Sequence, residues 1–220
     1  MHTCLSSIFR RICRSKYNLC NTQSFALTGD QTTSPIFFYV KHDSPFLKQG
    51  EIINNLFELK LLIPQRITID VNQGVQVEQS IHPYAIVVSQ DCDIEQDYKA
   101  RLHEVPEDKL LTHLLFCALF TQEEIRRRNN LKADQWKRIR QNQDERYHYL
   151  VEAPIHGTED SLPELIADFK TTFSLRIEFV SWSVSTNQAV RKGGLLSPYL
   201  EDFMHRLYSF LGRVATPPMT

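Results

Sequence analysis

Apolar and polar positions divide the chain into a strand-rich first half and a mixed second half. SPIFFYV (Ser34 to Val40) is dense in aromatic and β-branched residues and predicts a strand. LKQGEIINNLFELKLLI (Leu47 to Ile63) predicts two short strands or one broken one, after a turn at Gly50 and before a stop at Pro64. RITIDVNQGVQVEQ alternates, with Ile67, Ile69 and Val71 before Asn72-Gln73-Gly74 and Val75 and Val77 after it, which is a hairpin signature. HPYAIVVS adds a strand from Tyr84 to Ser89. KLLTHLLFCALF (Lys109 to Phe120) is continuously apolar and reads equally as a buried strand or a buried helix. With that segment as a strand, the first half holds five or so short strands separated by turns, the pattern of a small barrel.

The texture changes at Thr121. Thr121-Gln-Glu-Glu124 is a capping box, in which the Thr hydroxyl and the Glu carboxylate satisfy free amides at a helix start. The segment to Arg146 has strong helix propensity, with a break at Asn129-Asn130. RYHYLVEAPIHGTEDSLPELIADF follows, punctuated by Pro154, Gly157 and Pro163, and FSLRIEFVSWSVS reads as a strand. In LSPYLEDFMHRLYSFLGRV, Ser197 suits an N-cap and Pro198 the first helical position. Leu200, Phe203, Leu207, Phe210 and Leu211 share one face of that helix, and Gly212 is placed to end it.

Composition narrows the class. At 220 residues, 42% hydrophobic and 23% charged, the chain has globular composition and enough length for one sizeable core. A net charge of -1 supplies no whole-protein attraction to nucleic acid, so such binding needs a local patch. The five cysteines (Cys4, Cys13, Cys20, Cys92 and Cys117) are odd in number and include no Cys-x-x-Cys pair. That argues against a zinc ribbon or a disulfide scaffold and for a reducing, cytoplasmic compartment. No apolar run approaches the length of about 18 residues that a membrane span requires. The first residues carry Arg10, Arg11, Arg14 and Lys16 with no acid before Asp30. They read as a basic tail or docking helix over residues 1–30 in preference to a transit peptide.

A resemblance adds to this pattern. Gly50-Glu51-Ile52, a hairpin, and then His82-Pro83 leading into Tyr84-Ala85-Ile86-Val87-Val88-Ser89 resemble the MazF/PemK-type barrel over about the middle third of the chain. The resemblance implies an α+β, SH3-like small β-barrel. Its core spans about 34–121, with a basic helical insertion at 122–146 and a closing strand and helix at 147–220, all in one domain from residue 31. The chain is also similar to a group of bacterial proteins that pair a Ser-x-x-Cys-Asp strand end with Tyr-His-Tyr-Leu, Asp-Phe-Lys and a C-terminal helix. Here those pieces are Ser89 to Asp93, Tyr147 to Leu150, Asp168 to Lys170 and Ser197 to Val214. Ribonucleases of the MazF family use an Arg where this chain has His82, and a Thr or Ser for which Thr121 is the candidate. The resemblance therefore implies the barrel more than the reaction.

Four features carry candidate chemistry. A nucleophilic Cys92 needs a cation or helix N-terminus to stabilise its thiolate, but its neighbours are the carboxylates Asp91 and Asp93. A small buried residue at a strand end is the favoured reading. Asp91 and Asp93, two apart on an extended chain, point the same way and can share a divalent cation, but an Asx-type turn suits them better. The eight histidines show no zinc spacing, so neither a metal nor a cofactor is expected. His82 is a candidate general base set against a plain strand-edge residue. From Arg126 to Arg140, seven basic residues (Arg126, Arg127, Arg128, Lys132, Lys137, Arg138 and Arg140) face one acid, Asp134. They can neutralise phosphates, with Trp136 as a stacking face, or form a solvated helix against an acidic partner. Arg146-Tyr147-His148-Tyr149-Leu150 suits either an interface or a core edge.

The expectation is a non-enzymatic binding module, a regulator or subunit of a bacterial toxin-antitoxin, stress or phage-defence system. Its partners would be a protein of that system or single-stranded RNA, with self-association left open and no membrane involved. The alternatives are a metal-independent RNA endonuclease built on His82 and Asp91, and a Cys92-dependent hydrolase.

Overall fold

The computed structural model describes residues 37–62, 76–103, 107–129 and 131–213. The basic segment 1–30 and the hairpin turn at Asn72 to Gly74 lie outside the described residues. Among the described residues the fold is α+β: nine strands in one mixed sheet, five α-helices and a short 3-10 turn. No described helix is long and apolar enough to cross a membrane.

β1 (Tyr39–Val40) is followed by the long pair β2 (Glu51–Leu62) and β3 (Gln76–Val87). β2 is a single strand, bent where Asn55, opposite Pro83, takes a φ of 55°. Gly50, at φ 80°, makes the turn before it, and a Cβ there would run into Leu200. β3 leads into α1 (Asp91–His103), and β4 (His113–Phe120) resolves the ambiguous apolar run as a strand. α2 (Gln122–Asn129) and α3 (Ala133–Arg140) form the basic segment. β5 (Tyr147–Leu150), β6 (Ala153–His156), β7 (Ser161–Leu162) and β8 (Leu165–Arg176) follow. The chain then runs through α4 (Ile177–Ser185), β9 (Val190–Leu195) and α5 (Tyr199–Leu211).

Two expectations about local structure are corrected. FSLRIEFVSWSVS is not one strand: β8 ends at Arg176 and α4 takes the remainder. Burial of Ile177 and Val180 one turn apart, with Phe179 edge-on to Phe57, outweighs the strand propensity of Val, Phe and Trp. Ser197 does not cap α5. The peptide bond to Pro198 is cis, and Pro198 occupies the cap position with no side-chain hydrogen bond. Gly212 does end the helix, its N–H donating to the carbonyl of Tyr208.

The strand order is β5-β8-β4-β3-β2-β9-β1-β6-β7, antiparallel except for β1 with β6. β5 and β6 stand near opposite ends of this ladder, yet only Val151 and Glu152 separate them. Three peptide steps reach at most about 11 Å, so the sheet curls until its ends meet. The ladder is nevertheless not closed, since β5 pairs with neither β6 nor β7.

Period-two alternation sorts the side chains. On β4, Cys117 and Leu119 point into the curl, where they meet Ile52, Ile86, Phe169 and Phe203 of α5. Leu114 and Phe116 point outward under α1 and α4, against Ile94 and Val180. Ala118 and Phe120 lie under α2 and α3, against Ile125 and Ile139.

Two buried carboxylates tie these layers together. Glu51 receives Arg191 through two bonds of 2.6 and 3.0 Å, and Arg191 also donates to the carbonyls of Ser44 and Phe46. Asp168, 2% exposed, receives Arg146 in a fork of 2.7 and 2.6 Å and accepts the Lys170 amide at 3.1 Å. It sits in a wide bulge of β8. Cys117 pairs with Thr172 and Leu119 with Ala167, so Ala118 alone on β4 spans residues 168 to 171 on β8.

Arg146→Ala strands the Asp168 carboxylate in the core and is expected to cost about 3–5 kcal/mol in urea unfolding. Replacing both residues by apolar ones of similar size costs less. A loss below about 1 kcal/mol for the single variant, the scale of a surface pair, would contradict this role.

Candidate nucleic-acid interface

A cleft of about 480 Å³ opens beside the sheet. β2 and β3 build one wall. Beyond Asn54 and Tyr84 the two strands pair only with each other, forming a two-stranded arm. One face of the arm carries Phe57, Leu59, Val77 and Ile81, and the other carries Glu58, Lys60, Ser80 and His82 over the cleft. The opposite wall comes from α2, with Glu124, Arg127 and Arg128, and from the β8 bulge, with Thr171, Thr172 and Phe173.

His82 is held on two sides. Its ring stacks on Phe173 at 3.9 Å between centroids and 8° between planes. Its Nε2 lies 3.0 Å from Glu58 Oε2. A carboxylate can only accept, so Nε2 carries the proton and Nδ1 of the neutral ring keeps its lone pair. The pair is largely shielded, with side-chain exposures of 12% and 18%. Lys60 lies 3.2 Å from the same Glu58 oxygen.

The capping box is formed as the spacing predicts. The Thr121 amide and hydroxyl donate to Glu124 at 2.8 and 3.0 Å, and the Glu124 amide donates back to the Thr121 hydroxyl at 3.3 Å. Thr121 is thereby committed to the helix end. The threonine hydroxyls of the cleft are instead Thr171 and Thr172, which sequence reasoning missed. Thr171 donates to the carbonyl of Asp168 at 2.7 Å, bracing the bulge. Glu58, Lys60 and Ser80 were also missed. Their signal was the alternation of the arm, which puts Glu58 opposite Ser80 and Leu56 opposite His82.

Asp91, Cys92 and Asp93 do not join His82, because none of them lines the cleft. They form the first turn of α1, not an extended strand end or an Asx turn. The Gln90 carbonyl accepts the Ile94 amide, which starts the helix, and two acids in the first turn suit its dipole. Residues two apart on a helix diverge by about 200°, so Asp91 and Asp93 do not present a shared cation site. Asp91 instead accepts the backbone amide of Gln49 and lies 4.0 Å from Lys48. Cys92 is exposed, not buried. Its Sγ lies 3.6 Å from both Gln90 Oε1 and Asp93 Oδ1, and among the described residues no imidazole or cation is hydrogen-bonded to it. Among the described residues no group of three His, Cys, Asp or Glu is placed to hold a metal ion.

The basic segment is dispersed. Arg127 and Arg128 line the cleft, Arg128 4.4 Å over the Phe120 ring. Arg126 covers Trp136 at 4.8 Å and Arg140 covers Tyr149 at 5.7 Å. Lys132 and Lys137 are exposed, and Arg138 donates to the carbonyl of Gln143 at 3.3 Å. Trp136 is no stacking face for a base. It is buried among Ile125, Ile139, Tyr147 and Ile166 and anchors the two helices to the sheet.

Tyr147 to Leu150 is likewise core, paired with β8 from Asp168 to Leu165. His148 is buried between Phe169 and Phe203, and its Nδ1 has no hydrogen-bond partner among the described residues. Burial, aided by nearby Arg206, lowers its pKa from 6.5 to about 3. Burial also pushes the Cys117 thiol well above its ordinary range, helped by Asp168. Compared with known proteins, the chain matches no family model and none of the curated sequences.

The unfolded chain protonates His148 below pH 6.5, and the folded one only near 3. This contribution is therefore complete above pH 6.5 and is lost as pH falls towards 3, by about 1.4 kcal/mol per pH unit. Urea unfolding between pH 7.5 and 5 is expected to show this slope and His148→Phe to flatten it. An unchanged slope in the variant would contradict the assignment. In peptide mapping after brief maleimide treatment, Cys92 is expected to be labelled in the native protein and Cys117 only after unfolding.

Proposed function

We propose that the curled sheet is an SH3-like barrel of MazF/PemK type, and that the chain is a binding module for single-stranded RNA in a bacterial toxin-antitoxin, stress or phage-defence system. One observation carries this reading. Arg127 and Arg128 have no ion pair among the described residues, and they face a fixed imidazole, with Lys60 on the same wall as that ring, across an open cleft. Unpaired guanidinium groups are suited to phosphate oxygens. A cleft suits a single strand laid along its floor. A net charge of -1 leaves such binding dependent on this local patch, so affinity falls with salt by a slope of about 0.7 per neutralised phosphate.

A second reading rests on the His82–Glu58 contact. The oriented imidazole offers a lone pair at Nδ1 beside two arginines and two threonine hydroxyls. That set suits metal-independent RNA cleavage. Nδ1 takes the proton of a 2′-hydroxyl, whose oxygen then bonds to phosphorus. The 5′-oxygen leaves and takes up a proton, giving a 2′,3′-cyclic phosphate.

The test is labelled single-stranded RNA mixed with the purified protein in EDTA over a salt series. Binding without cleavage, weakened about tenfold or more at low salt in Arg127→Ala/Arg128→Ala, is the expected result. Cleavage that disappears in His82→Ala selects the second reading. Neither binding nor cleavage refutes both and points to a protein partner.

A further inference from the structure

Lys170 and Thr171 are adjacent on β8 but belong to different cavities. Thr171 lines the His82 cleft, and Lys170 lines a second cavity of about 290 Å³ with Arg138, Asp144, Glu145, Arg146, Phe210 and Arg213. Successive strand residues point to opposite sides, and at the end of the Asp168 bulge this sends Thr171 to one cavity and Lys170 to the other.

The charges of the second cavity are partly committed. Arg146 pairs with Asp168, and Arg213 pairs with Glu145 at 3.0 Å while lying 3.9 Å over the Phe210 ring. The Asp144 carboxylate accepts the Arg146 amide at 3.0 Å. Lys170 and Arg138 make no ion pair among the described residues, as is true of Arg127 and Arg128 in the first cleft. Four cations without an ion pair among the described residues therefore line two cavities that meet at adjacent residues of β8.

We infer that single-stranded RNA follows a track from the His82 cleft across Lys170 into the Arg138–Arg213 cavity, with the second cavity taking the phosphates downstream of the first. The inference rests on the RNA-binding reading and specifies its footprint. The track crosses β8 and does not run along the axes of α2 and α3. Lys170 is its bridge, and the Arg213–Phe210 stack offers a flat surface at its far end.

Oligonucleotide length tests the track. Fluorescence anisotropy would compare labelled oligouridylates of about three and about ten nucleotides, the shorter sized for one cavity and the longer for both. Wild-type protein is expected to bind the longer about tenfold or more tightly. Lys170→Glu and Arg138→Ala are expected to remove most of that advantage and to leave the shorter oligonucleotide little affected. In the Lys170→Glu variant the salt slope for the longer oligonucleotide should drop by about 0.7 for every phosphate that is no longer neutralised. Lys170 is exposed, so a normal thermal melt of its variants is expected and shows that they are folded. Length-independent affinity, or equal weakening at both lengths in these variants, would overturn the track. If Arg127→Ala/Arg128→Ala abolishes binding while Lys170→Glu changes neither length, the track falls and the reading it rests on stands. If wild-type protein binds neither length, both fall.

Discussion

The fork between Arg146 and the buried carboxylate of Asp168 is the contact on which the rest of the site depends. A carboxylate at 2% exposure is tolerable only when it is paired and hydrogen-bonded. Two guanidinium bonds and the Lys170 amide meet that need, and the Asp168 carbonyl accepts from Thr171. Those bonds hold the β8 bulge open. The bulge ends with Lys170 at the neighbouring cavity and Thr171 at the His82 cleft, next to Thr172, where pairing with β4 resumes. Burial of the ion pair thus stabilises an irregularity that regular β-pairing would erase, and the irregularity shapes both cavities.

The arm completes the cleft by simple alternation. Its two strands leave the sheet after Asn54 and Tyr84, so one face stays apolar while the other brings Glu58, Lys60 and His82 over α2. His82 is oriented by a carboxylate on one side and an aromatic ring on the other, both on strands of the same sheet. The arginines opposite stand on a helix whose start is locked by the Thr121–Glu124 exchange. A site on such elements is preorganised, so little ordering is needed when a phosphate enters.

The features legible in the sequence were those that depend on near neighbours. The capping box, the stop at Gly212 and a strand within HPYAIVVS follow from near neighbours and occur, the strand as the end of β3. Features set by distant residues were not legible. DCDIEQDY reads as a polar turn because α1 is weakly amphipathic, and Ile94, Asp97 and Ala100 mark its face only once β4 lies beneath. Trp136 within a basic run looks like a stacking platform, but its position on α3 turns it into the sheet beside Ile139. The basic segment divides between two cavities because Arg127 and Arg128 stand on α2 and Arg138 on α3, and no short-range signal in Asp168 to Phe173 announces the bulge beside them. His82 was legible as a candidate, whereas its partner Glu58 required the hairpin register.

The most direct measurement is photo-crosslinking of the full chain to 4-thiouridine-containing single-stranded RNA, with the crosslinked peptides mapped by mass spectrometry. The account predicts crosslinks in the arm around Glu58 to Lys60 and Ser80 to Pro83, in α2 at Arg127 and Arg128, and on β8 at Lys170 to Phe173. Crosslinks confined to α1 around Cys92, or spread evenly over the exposed lysines and arginines, would contradict it.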